Sequence, residues 1–296
     1  MKLLAKYQNG NLITELYDDG TRIRTTEEDE FKPAFAENVD VHTSNRCDNG
    51  CAMCYANCTK DGEFGKLSGW NFLKTLHRGT EMALNLNFPM ADDFWDLLRY
   101  LKTQGIITNV TVNQNHFMKY GNVIEQMHNE GLIRAIGVSL TTPTPQFIEQ
   151  IKKYPNAVIH VINGILTQND VEKLADNNLK MLILGYKQLR RGNDYFSVNQ
   201  KSIYQKHNWL SKNLPDIIDR FNTVSFDNLA IEQLDVHRLL TQEEWDEFYM
   251  GDDGTMTYYI DMVEQKFAKS STAPFEERYD LLDSVDEMFE KIANEG

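Results

Sequence analysis

Along most of the chain, short β-branched or apolar runs alternate with stretches in which apolar residues recur every three to four positions. The first pattern suits strands and the second amphipathic helices. From residue 39 the two follow one another at intervals of roughly 25 residues, the length of a βα unit. Candidate strands cover residues 39–43, 81–87, 106–113, 134–140, 157–163, 180–186 and 223–227. Helix signals lie between them. One runs from Asp92 to Gly105 and another from Gly121 to Gly131; Thr144-Pro145 opens residues 146–153, and Asn169-Asp170 caps residues 171–176. Such alternation implies parallel strands with crossover helices, hence a doubly wound sheet or a complete or partial (β/α) barrel. Either architecture places chemistry at the C-terminal edge of its strands.

The two ends follow a different pattern. Gln8-Asn9-Gly10 and Asp18-Asp19-Gly20 are hairpin signals in a small antiparallel meander, and an acidic linker occupies residues 27–30. Beyond the last βα strand, a short helix around Trp245 stops at Gly251. Residues 255–263 and 266–271 then read as a hairpin, expected to join the meander in a small sheet beside the barrel. Residues 280–292 form a helix with Leu281, Val285, Met288, Phe289 and Ile292 on one face. The expected division is residues 1–38 for the meander and linker, 39–240 for the βα core, and 241–296 for the extension.

The chain has 296 residues with 41% hydrophobic and 25% charged content, enough for one principal core with appendages. A net charge of −14 argues against a broad nucleic-acid-binding face. Met1-Lys-Leu-Leu-Ala turns polar at Lys6, and no run reaches membrane-spanning length, so a cytoplasmic protein with reduced thiols and no membrane partner is expected.

That matters because all four cysteines fall in Cys47-Asp-Asn-Gly-Cys51-Ala-Met-Cys54-Tyr-Ala-Asn-Cys58, directly after the first βα strand. A disulfide framework would distribute its cysteines to close large loops. The grouping reads instead as thiolate ligation of zinc or of an iron–sulfur cluster. Structural zinc sites usually pair two separated knuckles, and no second knuckle follows here. Cys47, Cys51 and Cys54 suit three irons of a [4Fe–4S] cluster, with Gly50 easing the backbone and the fourth iron open. The competing, non-catalytic reading is a zinc- or cluster-binding scaffold whose barrel is only an interaction surface. Cys58 is read as a small buried residue or spare thiol.

The motif resembles that of the radical S-adenosylmethionine superfamily, in which C-x3-C-x-Φ-C opens a partial (β/α)6 barrel. The resemblance implies an α/β, TIM-like partial barrel with small antiparallel additions at both ends. It implies one [4Fe–4S] cluster on Cys47, Cys51 and Cys54, with S-adenosylmethionine chelating the open iron through its amino and carboxylate groups. One electron, from a donor such as flavodoxin or ferredoxin, would then cleave the cofactor to methionine and a 5′-deoxyadenosyl radical. That radical abstracts hydrogen from a substrate, a peptide or protein ahead of a small molecule because the terminal hairpins resemble those of peptide-modifying relatives.

The same resemblance assigns cofactor contacts. Met53 holds the Φ position near the adenine, with Tyr55 beside it. Where the family has a Gly-Gly-Glu-like turn, this chain has Leu84-Asn85-Leu86-Asn87-Phe88-Pro89, leaving Asn85 and Asn87 to meet an ammonium. Ser139 matches the position facing ribose or carboxylate, Asn163 and Gly164 the motif beside the adenine, and Gly185 and Tyr186 the stretch after the sixth strand. A tail without cysteine excludes auxiliary clusters and leaves a relic, a lid or a substrate-docking sheet. His42, His160, Asn113, Gln114, Asn115, His116, Asp227, Asn228 and Glu232 suit packing or capping as readily as substrate contact. Lys187, Arg190 and Arg191 form one small basic cluster near the expected cavity.

Overall fold

The computed structural model describes residues 1–294. Strands β1 (Leu3–Asn9), β2 (Leu12–Tyr17) and β3 (Arg22–Thr25) form the expected antiparallel meander as a separate sheet. The core then runs β4 (Asn38–His42), β5 (Glu81–Asn85), α1 (Phe94–Gln104), β6 (Ile107–Asn113), α2 (Gln114–Lys119), α3 (Gly121–Asn129), β7 (Ala135–Ser139) and α4 (Pro145–Ile151). It continues through β8 (Ala157–Ile162), α5 (Gln168–Leu174), β9 (Lys180–Leu184), α6 (Arg191–Ile218), β10 (Thr223–Phe226) and α7 (Asn228–Leu234). The tail adds α8 (Gln242–Phe248), β11 (Thr257–Asp261), β12 (Lys266–Ala268), β13 (Tyr279–Asp280) and α9 (Val285–Ala293).

Strands β4 to β10 lie in chain order, each parallel to the next, as crossover helices require. The period of two assigns their faces. Val39, Val41, Met82, Leu84, Val110, Val112, Ile136, Val138, Ile159, Val161, Met181 and Ile183 are buried in the principal core cluster, which also takes in the helices. The intervening residues, including Asp40, Ala83, Asn85, Asn109, Thr111, Gly137, Ser139, Val158, His160, Ile162, Leu182 and Leu184, line an interior cavity. One half of that lumen is therefore polar and the other aliphatic.

Helix α1 buries Phe94, Leu97, Leu98 and Leu101 along one stripe and ends at Gly105, whose φ of 75° suits a left-handed cap. The cap of α5 differs from expectation. Thr167 accepts the Asp170 amide while Asp170 bonds back to Thr167, so this capping box starts the helix ahead of Asn169. The 28-residue α6 contains Pro215. Proline supplies no amide for the Ser211 carbonyl one turn earlier, and Arg238 Nη2 donates to that carbonyl at 2.5 Å.

The N-terminal sheet meets the opposite end of the barrel from the cysteines. Glu37, fully buried just before β4, accepts from Arg24 Nε at 2.7 Å and pairs with Arg22 at 3.3 Å, while Arg22 also pairs with Glu81. Lys180 Nζ donates to the Asp19 carbonyl at 3.1 Å and Asn156 Nδ2 to that of Asp18 at 3.1 Å.

The C-terminal hairpin does not join this meander. Strand β11 pairs in parallel with β4, and β12 and β13 continue the main sheet from it. The β4 edge is open because the barrel is incomplete, and β11 satisfies its backbone groups. Strand β13 also takes Asp280, so α9 begins later than expected, behind the Ser284 cap. No helix among the described residues is long and apolar enough to cross a membrane.

Candidate active site

A cavity of about 510 Å³ occupies the lumen, within the range of small-molecule sites. Met53 and Tyr55 of the cysteine loop line it, as do Tyr259 and Ser271 of the C-terminal extension. Tyr259 sits opposite Asp40 on the neighbouring strand. Lys187 Nζ donates to Ser271 Oγ at 3.0 Å across the gap between the two ends of the barrel. The extension is thus a lateral wall of the cavity.

The cysteine loop leaves β4 at its C-terminal end and is anchored at both borders: Gly65 N–H bonds the Thr43 carbonyl at 2.8 Å, and Cys47 N–H that of Thr59 at 2.8 Å. Three further elements brace it. Buried His116 of α2 bonds the Asp48 carboxylate through Nε2, and Asn115 Nδ2 donates to Asn49 Oδ1 at 2.7 Å. Arg191 at the start of α6 donates to the Cys58 carbonyl, and Arg190 donates to that of Ala56 at 3.3 Å. Glu264 of the extension pairs with Arg190 at 2.8 Å and with the buried Arg278 at 2.7 Å.

The four thiols differ in setting. None is in a disulfide; Cys51 is exposed, Cys47 and Cys54 are half-buried, and Cys58 is buried. The neighbouring Cys58 thiol, with help from Arg191, holds the Cys54 pKa below the ordinary thiol range, and the same coupling pushes that of Cys58 up. Burial raises those of Cys47 and Cys51. Among the described residues, no three His, Cys, Asp or Glu side chains gather as a single-ion site. A cubane places each thiolate on a different iron, and three reduced thiols on one loop beside a cavity fit that donor set.

Of the residues the sequence marked for the cofactor, Met53, Tyr55, Asn85, Ser139, Gly185 and Tyr186 share the cavity. Asn163 and Gly164 lie in an adjoining pocket of about 240 Å³ with Tyr186, Tyr204, His207 and Gln233. Asn87 lines neither. Asn85 and Asn87 both donate to the Ser44 carbonyl, at 3.2 and 2.9 Å, and Asn85 Oδ1 accepts the Thr43 amide. Their amides therefore hold the start of the cysteine loop. Gly185 is fixed by Asp227 Oδ1, which accepts its N–H at 2.8 Å, and Gln233 brackets the Tyr186 backbone at 2.8 and 3.0 Å.

The sequence reading missed Asp40, Asn109, Thr111, Tyr259 and Ser271. For Asp40 the signal was present: it stands between two outward valines, so the strand period turns it inward. Depth raises its pKa, with Asn38 and Lys187 pulling the other way. Burial alone opposes charge on Lys187, but Tyr55, Asp227, Asp40 and Asp253 hold its ammonium above the ordinary range. Burial lowers the His160 pKa to about 4, so this imidazole is neutral at pH 7.

This architecture is a largely parallel partial (β/α) barrel with a thiol loop at the end of its first strand, like the fold of radical S-adenosylmethionine enzymes. Among solved structures, the chain is similar to Streptococcus suis SuiB bound to S-adenosylmethionine, with a TM-score of 0.58 and 13% identity. The match covers 87% of this chain and 66% of that one, so the chain spans less than two thirds of SuiB. At that identity the likeness is one of fold. No family model and no curated protein matches the chain.

Proposed function

We propose that this chain is a radical S-adenosylmethionine enzyme. Cys47, Cys51 and Cys54 hold one [4Fe–4S] cluster, the cofactor lies between their loop and the cavity, and the lumen receives a peptide or small-molecule substrate. The observation that carries this reading is the position of the three-thiol loop: it leaves the C-terminal end of β4 and lines the cavity through its own Met53 and Tyr55. When bound and reduced, the cluster would supply the electron that cleaves S-adenosylmethionine to methionine and a 5′-deoxyadenosyl radical.

The chain's own residues position and enclose. His116, Asn115 and Arg191 restrain the loop, so the ligands are held before the cofactor arrives. Val158, Ile162, Leu182 and Leu184 keep one side of the lumen free of hydrogen-bonding groups, which limits water around a reactive species. Cys51 is exposed, so its side of the cluster faces an electron donor such as flavodoxin or ferredoxin.

Protein purified and reconstituted anaerobically, reduced and mixed with S-adenosylmethionine should release 5′-deoxyadenosine. Cys51→Ala should lose the cluster and the product together, whereas Cys58→Ala should keep both. One equivalent of zinc without iron, or a fully loaded protein that makes no 5′-deoxyadenosine, would overturn the proposal.

A further inference from the structure

Two acids, Asp40 and Asp227, and one ammonium, Lys187, line the lumen. A small chamber behind Asp40 adds Asp253 and Lys269, which leaves the excess of one negative charge unchanged. The charges are unequally partnered. Asp227 Oδ1 accepts two backbone amides, from Gly185 and Ala230, each at 2.8 Å. Asp253 accepts from Asn228 Nδ2 at 2.8 Å. Lys187 donates to Ser271 and lies 4.4 Å from the centre of the Tyr55 ring. Asp40 has only the Asn38 amide, at 3.0 Å, and forms no ion pair among the described residues.

The setting of Asp40 makes that shortage meaningful. Its carboxylate is open to solvent and yet deep, because the opening is the cavity itself. Lys187 only partly offsets the cost of that depth, so a further cation entering the lumen would be favoured beside Asp40. Four strands further round the sheet, half-buried His160 also lines the lumen, its ring makes no hydrogen bond among the described residues, and desolvation keeps it neutral at pH 7. Val158 and Ile162, which flank His160 on β8, and Leu182 and Leu184 on β9 also line the lumen. The lumen thus offers one anionic point, one neutral polar point and an aliphatic wall.

We propose that Asp40 anchors a cation subsite, and that the substrate admitted to the lumen carries a cationic nitrogen group on an apolar body. This rests on the reading of the lumen as the substrate chamber. Asp40 lies two residues deeper on β4 than His42, where the chain leaves for the cysteine loop, so the subsite is set back from the loop that would hold the cofactor. S-adenosylmethionine carries cationic groups too, and the test must separate the two sources.

The probes are hexylamine, 1-hexanol and hexanoate, which share one apolar body and differ in charge. Their binding to cluster-loaded protein is measured by calorimetry in about 0.15 M salt, where long-range attraction to an acidic protein is screened. Hexylamine should bind at least tenfold more tightly than the other two. Asp40→Asn, close to isosteric, should bring it within twofold of hexanol, and Asp40→Glu should restore part of the preference. S-adenosylmethionine should bind Asp40→Asn within twofold of the parent, and saturating cofactor should leave hexylamine bound.

Equal binding of the three probes in the parent protein overturns the proposal, and needs no variant to fold. An undiminished amine preference in folded Asp40→Asn also overturns it. So does displacement of hexylamine by S-adenosylmethionine, or a tenfold loss of cofactor affinity in Asp40→Asn, since the cation at Asp40 would then be the cofactor's own. The 5′-deoxyadenosine assay is independent. Amine selectivity without that product sinks the enzyme reading and leaves the subsite; product without selectivity does the reverse.

Discussion

Asp227 joins stability to the shape of the cavity. One oxygen, Oδ1, accepts the Ala230 N–H as the N-cap of α7 and the Gly185 N–H at the rim of the cavity, both at 2.8 Å. Asp227→Ala removes both bonds. Loss of the cap costs about 0.5–2 kcal/mol, and the buried Gly185 amide left without an acceptor costs about 1–3 kcal/mol. Allowing for overlap between neighbouring terms, the sum is about 2–4 kcal/mol. Asp227→Asn keeps an oxygen in place and loses only the favourable charge at the helix start, about 0.3–1 kcal/mol. Urea unfolding of the two variants under identical conditions measures the difference, and Asp227→Ala should be less stable than Asp227→Asn by at least about 1 kcal/mol. If the two agree within about 0.5 kcal/mol, the twin-acceptor role is wrong. Because Gly185 leads into Tyr186 and Lys187, the alanine variant should also weaken S-adenosylmethionine binding more than the asparagine variant does.

Three further outcomes follow from the packing. His160 titrates near 4 in the fold against 6.5 when unfolded, so between those values the unfolded chain binds more protons and stability falls as pH falls. The loss approaches roughly 3 kcal/mol below pH 4, and a stability–pH curve for His160→Gln should lack that component; identical slopes would contradict the lowered pKa of the ring. Glu37→Ala leaves Arg22 and Arg24 without their shared carboxylate between the meander and the barrel, and should cost about 3–5 kcal/mol in urea unfolding. A methyl at Gly185 would stand 2.4 Å from Leu229 Cγ, so Gly185→Ala should displace α7 and cost about 1–3 kcal/mol; a neutral effect would refute the close approach.

Much of the fold is legible along the chain because the signals are local. The period-two runs of β4 to β9 and the glycine stop of α1 depend on neighbours a few residues away. The three-thiol loop was equally plain, since its spacing and its place after the first strand are both linear facts. Even the inward face of Asp40 is written in Val39-Asp-Val41. The misplaced cap of α5 shows the limit of such signals: Thr167, Asn169 and Asp170 are all capping residues, and only the reciprocal bond between Thr167 and Asp170 selects the first.

Other features depend on contacts between residues far apart in the chain. Asn85 and Asn87 hold the polar positions of the second-strand turn, yet folding turns both amides onto the Ser44 carbonyl, more than forty residues earlier. The tail hairpin carries the same alternation whichever sheet it joins. Its place beside β4 follows from the open edge of an incomplete barrel, and that edge exists only once β4 to β10 have assembled. Lys187 and Ser271 are 84 positions apart and meet because the tail crosses the gap between the barrel's ends. Local periodicity and cysteine spacing thus specified the strands, their inward faces and the thiol loop, whereas the wall of the cavity and the absence of an ion pair at Asp40 among the described residues arose from which distant surfaces had groups left to satisfy.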